Sequence, residues 1–160
     1  MTSVLFVCTG NICRSPTVES VFRALVAREG LSREIVADSA GTHDYQLGQP
    51  PDPRAVRAAR RRGYELPARV ARQFHPGDFE HFDWILAMDR DNMDSLEPFR
   101  PREYAGYLGL FLDFAPEVGV REIPDPYQGT ASDFDRVLDL AEQGAEPLLA
   151  AIRATLKRAR

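Results

Sequence analysis

Lysine is almost missing from this chain: Lys157 is the one lysine, and every other basic residue of that pair is arginine. A nucleotide-binding loop of the Gly-Lys-Ser/Thr kind needs a lysine beside its glycines, so that class is excluded. Cysteine is nearly as scarce. Cys8 and Cys13 lie too close together to staple a distant loop, and with three scattered histidines (His43, His75, His81) they do not make a zinc ligand set. No apolar run approaches the length of a membrane span. The apolar stretch Val4 to Cys8 is short and has no basic region before it, so no export signal is read there. A basic surplus is also lacking: the net charge is -4, which speaks against a nucleic-acid partner. These absences point to a cytoplasmic chain with reduced thiols, no nucleic acid and no membrane. A small anionic ligand remains open, because a local site can be positive on an acidic protein.

What is present suits one folded unit. A chain of 160 residues that is 44% hydrophobic can build one full core, so a single domain over 1–160 is expected. Ser3-Val4-Leu5-Phe6-Val7 reads as a buried strand. Thr17 to Glu29 carries Val18, Val21, Phe22, Leu25 and Val26 at helical spacing, and Gly30 closes it. Glu34 to Ser39 reads as a second strand, and short links make the three a parallel βαβ unit. After a Gly- and Pro-rich loop, a helix is predicted from Pro53 to Arg62, ended by Gly63. Its arginines, Arg54, Arg57, Arg60, Arg61 and Arg62, read as a solvated face.

Further strands and helices follow. Phe82 to Met88 is a third strand, and Asp89 to Leu96 a short helix in which Asp89 caps rather than reacts. Tyr104 to Phe114 reads as a short fourth strand and a helical turn. Ile123-Pro124-Asp125-Pro126-Tyr127 cannot be regular, because two prolines block both helix and ladder. A long helix runs from Ser132, taken as its N-cap, to the end, with Pro147 a point of kinking. The alternation predicts an α/β fold: an open four-stranded parallel sheet with helices on both faces, a flavodoxin-like three-layer sandwich. Ligands bind at the carboxyl ends of strands in such folds, and Cys8, Ser39 and Met88-Asp89 are predicted to lie at such ends.

The chemistry gathers in Cys8-Thr9-Gly10-Asn11-Ile12-Cys13-Arg14-Ser15-Pro16. Placed between a strand and a helix, this loop aims backbone N–H groups and the positive end of a helix at one spot. The amides of Thr9, Gly10, Asn11, Ile12, Cys13 and Arg14 can form a nest for an oxyanion, with Gly10 permitting positive φ there and Asn11 tolerating it. A thiol attacks phosphorus as its anion, which a helix N-terminus and a neighbouring cation favour. Arg14 supplies that cation, with a fork matched to two phosphoryl oxygens. Ser15 is positioned to donate to the sulfur, and Pro16 suits a first helical turn. The plain alternative is a buried cysteine at a strand end. That accounts for Cys8 but leaves Gly10, Asn11 and Arg14 as coincidences.

The segment Val4 to Pro16 resembles the signature loop of low-molecular-weight protein tyrosine phosphatases. The resemblance continues through Asp38-Ser39-Ala40-Gly41-Thr42, Pro51-Asp52-Pro53-Arg54, Ala71-Arg72-Gln73, Met88-Asp89 and Asp125-Pro126-Tyr127, in the family's order. It implies hydrolysis of phosphotyrosine and small aryl phosphates through a phosphocysteine intermediate, with no cofactor and no metal. Cys8 would then be the nucleophile, Arg14 the phosphoryl clamp and Asp125 the general acid. Ser15 would partner the thiolate, Asn11 and Ser39 would hold the loop, and Ile12, Tyr45 and Tyr127 would wall the pocket. The plain alternatives are a turn aspartate for Asp125 and surface aromatics for Tyr45 and Tyr127.

The implied partners are a phosphotyrosine-containing protein or a small aryl phosphate. Phosphate- and vanadate-type oxyanions would inhibit, and the chain would be a monomer or weak dimer. Cys13, beside the nucleophile, would be its redox partner; the plain alternative is a small residue packing the loop. Within the family, protein arginine phosphatases resemble one another in carrying Thr at the position of Ile12, so an apolar Ile12 favours an aromatic ring. Arsenate reductases of similar fold relay oxidation through later cysteines, and none follows Cys13 here.

Overall fold

The fold grows outward from its first strand. In the computed structural model, which describes residues 1–159, β1 spans Thr2–Cys8 and is buried from Val4 onward. Its side chains alternate between two cores, as a strand buried on both faces requires. Val4, Phe6 and Cys8 enter the larger core, and Leu5 and Val7 the smaller. The chain then forms α1 (Arg14–Arg28), β2 (Ile35–Gly41), α2 (Pro53–Arg61), α3 (Asp78–His81), β3 (Trp84–Ala87), α4 (Arg90–Leu96), β4 (Tyr107–Leu110) and α5 (Ala131–Arg158). Short 3-10 turns at Glu97–Phe99, Phe111–Phe114 and Pro116–Val118 fill the connections.

All four strands are parallel, in the order β2-β1-β3-β4. The predicted α/β sandwich is the fold observed. Helices α1, α2 and α5 cover one face through residues such as Val18, Phe22, Ala58, Leu138 and Leu148. Helices α3 and α4 cover the other through Phe79 and Leu96. The chain runs from β1 to β2 on one side and then crosses to β3 on the other. The order therefore reverses beside β1, which opens a crevice at the carboxyl ends of β1 and β3. The residues after β1 and after β3 meet there.

The structure moves several predicted boundaries. Strand β2 runs on to Gly41, so Ser39 sits inside it, opposite Phe6, rather than at its end. Helix α5 starts at Ala131, one residue ahead of the proposed cap Ser132. Thr130 caps it instead, and the Asp133 carboxylate accepts the Thr130 N–H at 2.7 Å, closing a reciprocal capping box. Pro147 lies within α5. The arginines of α2 and its C-cap Arg62 are not simply a solvated face. Arg62 donates to Asp139 at 2.8 Å and Glu142 at 2.5 Å on α5, and Arg61 lies 3.9 Å from Asp135. No described helix is long and apolar enough to cross a membrane.

Candidate active site

Cys8 closes β1, and the chain swings through five residues before α1 begins at Arg14. The Cys8 sulfur accepts the backbone N–H of Asn11 at 3.3 Å and lies 3.0 Å from Ser15 Oγ. That hydroxyl accepts Asn11 Nδ2 at 2.9 Å, which leaves its own proton to donate. The sulfur is nearer to it than the Ala40 carbonyl at 3.4 Å. Two donors thus converge on a sulfur that is 2% exposed, an arrangement suited to its anion.

The bend is carried by Asn11 alone. Its φ is 61°, the single positive value at a non-glycine among the described residues. Of the two residues that permit it, Asn11 takes positive φ and Gly10 does not. Its lack of a side chain serves proximity instead: a Cβ there would lie 3.1 Å from Gln46 Cγ. Three bonds hold Asn11, which is 6% exposed. Nδ2 donates to Ser15 Oγ and to Ser39 Oγ (3.0 Å), and Oδ1 accepts the Arg72 N–H at 3.0 Å. The expected Asn11–Ser39 pair is present, with Arg72 as a third party.

Gly41 brings β2 against the loop. The Thr42 N–H donates to the Cys8 carbonyl at 2.8 Å and the His43 N–H to the Thr9 carbonyl at 3.1 Å. A Cβ on Gly41 would stand 2.6 Å from the Thr9 carbonyl oxygen, so only glycine permits this approach.

Arg14 is 2% exposed and its donors can be counted. NH1 gives one N–H to Asp89 Oδ2 at 2.5 Å and one to the Ile123 carbonyl at 3.0 Å. NH2 gives one to Thr9 Oγ1 at 3.2 Å. A guanidinium has five N–H groups, so the Nε–H and one NH2 hydrogen remain. Two donors held in one plane suit the oxygens of a tetrahedral anion. Burial alone would lower the Arg14 pKa, but the facing Cys8 and Asp89 hold it above its ordinary value.

The support for Arg14 closes into a ring. Asp89 caps α4, its Oδ1 accepting the Asn92 N–H at 2.7 Å while Oδ2 takes Arg14. Asn92, 1% exposed, donates from Nδ2 to Thr9 Oγ1 at 3.1 Å, and Thr9 Oγ1 also accepts from Arg14. Asp89 is therefore a cap, as predicted, and also a tether for Arg14. Asn92 and the Ile123 carbonyl escaped the sequence reading; Asn92 three residues after a capping Asp was the available signal.

Above the loop lies a cleft of about 140 Å³. Cys8, Thr9, Gly10, Ile12, Cys13 and Arg14 form its floor, and Tyr45, Gln46, Asp125 and Tyr127 its walls and rim. Tyr45 stacks on His43 with centroids 4.8 Å apart. Asp125 Oδ2 lies 3.7 Å from Arg14 NH2, while Oδ1 accepts the Tyr127 N–H at 3.1 Å. Cys13 is buried, and its sulfur faces Asp52 Oδ2 at 3.8 Å. Burial first, and Asp52 second, push its thiol pKa far up, so it stays protonated at neutral pH. Every residue proposed from sequence thus lies in the cleft or, for Asn11, Ser15 and Ser39, directly beneath its floor. Gln46 joins them unannounced. No cluster of three His, Cys, Asp or Glu side chains fit for a metal occurs among the described residues.

A parallel α/β sheet with a cysteine–arginine loop at its switch point defines a protein built to hold a tetrahedral oxyanion against a thiol. Comparison with known proteins agrees in detail. The model of the family described as low molecular weight phosphotyrosine protein phosphatase matches residues 3–158. The chain belongs to that family. It is 43% identical over 150 residues to a putative low molecular weight protein-tyrosine-phosphatase of Synechocystis, covering 93% of this chain and 95% of the relative. Bacillus subtilis YfkJ, also a low molecular weight protein-tyrosine-phosphatase by name, is 40% identical over 153 residues, covering 96% and 97%. A crystal structure of an Entamoeba histolytica protein tyrosine phosphatase with Hepes in its active site superposes with a TM-score of 0.93 at 36% identity, covering 97% and 99%.

Proposed function

We propose that this chain, acting as one domain over residues 1–160, hydrolyses phosphotyrosine and small aryl phosphates through a phosphocysteine intermediate. One observation carries the reading: Cys8 and Arg14, the latter with two N–H groups unspent, line a single cleft together with Tyr45, Tyr127 and Asp125. The Cys8 thiolate attacks phosphorus, and the bond from phosphorus to the phenolic oxygen breaks. Asp125 gives its proton to that oxygen, a contribution of about 10² to 10⁴ in rate. Water then attacks the phosphocysteine while Asp125 takes its proton. The P–S bond breaks and phosphate leaves. Loop amides and Arg14 hold the equatorial oxygens in both steps.

Ser15 donates to the thiolate between turnovers, and Asn11 and Ser39 keep the loop in shape. Tyr45 and Tyr127 flank the ring, with Ile12 as an aliphatic floor. Ile12 offers a guanidinium no hydrogen bond, which favours an aryl ester over phosphoarginine. Phosphate and vanadate compete as oxyanions. Cys13 serves as the thiol that captures an oxidised Cys8.

Turnover of p-nitrophenyl phosphate by wild type, Cys8→Ser and Asp125→Ala tests this. Cys8→Ser is expected to be inactive, Asp125→Ala slowed about a hundredfold or more, and vanadate inhibitory. Activity surviving in Cys8→Ser would refute the reading. Parallel assays on phosphotyrosine and phosphoarginine peptides test the preference for aryl esters.

A further inference from the structure

Arg54 lies outside both the phosphate loop and the acid-bearing turn, yet it touches what holds each of them. Its guanidinium forks onto Asp52, with Nε to Oδ1 at 3.1 Å and NH2 to Oδ2 at 2.9 Å. Asp52 is 7% exposed and immobilised from both sides. Its side chain caps α2 by accepting the Arg54 N–H at 2.8 Å, and its own N–H donates to the Ile12 carbonyl at 2.9 Å. The guanidinium is thereby fixed in the frame of the loop. It also lies over two rings, 4.7 Å from the centroid of Phe134 and 5.4 Å from that of Tyr127. Phe134 is a buried residue in the first turn of α5. Tyr127 is 44% exposed and sits on the irregular segment with Asp125.

We infer that Arg54 is a positioning residue: it holds Tyr127 against the cleft and, through the Tyr127–Asp125 turn, sets where the Asp125 carboxyl stands. The link is the 3.1 Å bond from the Tyr127 N–H to Asp125 Oδ1, which makes the wall and the acid one small unit. Two prolines, Pro124 and Pro126, stiffen that unit, and Arg14 holds its near end through the Ile123 carbonyl. The cation over the Tyr127 ring fixes its far end. Lysine cannot replace it, since an ammonium lacks the fork for Asp52 and the plane that lies over a ring.

The inference rests on Asp125 being the proton donor, and the test separates the two claims. Phenolate from phenyl phosphate is a poor leaving group that needs a proton; p-nitrophenolate needs it far less. The ratio of kcat/KM for the two esters therefore reads how well the acid is placed. Each ratio is measured on one preparation, so a partly misfolded variant does not distort it. Asp125→Ala should raise the preference for p-nitrophenyl phosphate most. Arg54→Met should raise it by roughly fivefold or more, and Arg54→Lys should fall between Arg54→Met and wild type. In a Tyr127→Ala background, Arg54→Met should add nothing further, because the effect runs through that ring.

A ratio within twofold of wild type in Arg54→Met, with Asp125→Ala strongly shifted, would overturn the inference while leaving the acid in place. An unshifted Asp125→Ala would remove the proton-donor reading and the inference with it. A full further rise in the Tyr127→Ala background would overturn the route through Tyr127.

Discussion

Replacing Arg14 by lysine keeps the charge and removes the geometry, and the structure sets the size of the effect. Of five guanidinium N–H groups, three serve Asp89, the Ile123 carbonyl and Thr9, and two remain for the ligand. Lysine has three donors on one atom. If its ammonium satisfies Asp89 and Ile123, a single donor is left, and the paired contact to two phosphoryl oxygens is lost. A hydrogen bond to a charged group is worth about 1.5–3 kcal/mol. Losing one bond of this kind in the transition state, with the second weakened by poorer aim, costs about 3 kcal/mol. At 1.4 kcal/mol per tenfold, kcat/KM should fall roughly a hundredfold. Steady-state kinetics with p-nitrophenyl phosphate measure the fall, and vanadate competition should show a weakening of at least tenfold. A variant within threefold of wild type in both assays would refute the donor count.

Three other outcomes are expected. Gly41→Ala drives a methyl against the Thr9 carbonyl, so urea unfolding should show a loss of about 2–3 kcal/mol and kcat/KM should drop with it; an unchanged midpoint would contradict the close approach. Hydrogen peroxide should oxidise Cys8 to the sulfenic acid, which Cys13 then converts to a disulfide by expelling water. In Cys13→Ser further peroxide should carry the uncaptured sulfenic acid to the sulfinic acid, so dithiothreitol should restore wild type but leave most of the variant inactive; equal recovery would argue against the pairing. Tyr104 donates to the Phe82 carbonyl at 2.7 Å, and burial with Asp83 nearby pushes its pKa up to about 12. The folded state thus binds this proton more tightly than the unfolded chain, whose tyrosines titrate near about 10. Stability is complete below about pH 10 and declines as the pH rises to about 12, a decline that should shrink in Tyr104→Phe on urea titration. Identical pH profiles would exclude that contribution.

The loop was legible in the sequence because its parts are neighbours. Cysteine, glycine, asparagine, arginine and serine fall within eight residues, and a strand and a helix flank them. Its supports were less legible because they come from afar. Nothing local says that Asn92 reaches Thr9, or that the Arg72 N–H reaches Asn11. Those contacts exist because the strand order reverses beside β1 and because the segment around Gln73 pairs with Gly41. The stretch from Tyr64 to His81 carried no periodicity to assign, and it holds the short α3 and this pairing. The choice between Gly10 and Asn11 for the left-handed turn was undecidable from residue type, since both tolerate it. Side-chain bonds to Ser15 and Ser39 made the choice. At α5, Ser132 and Thr130 are both acceptable caps, each with an aspartate three residues on, so residue type alone does not choose between them.

The two oxygens of the Asp89 carboxylate have separate employments, one at the start of α4 and one on Arg14. Selection therefore cannot adjust that helix's first turn without also altering the grip on the anion. Drift at position 89 would be felt as lost affinity before it was felt as lost fold.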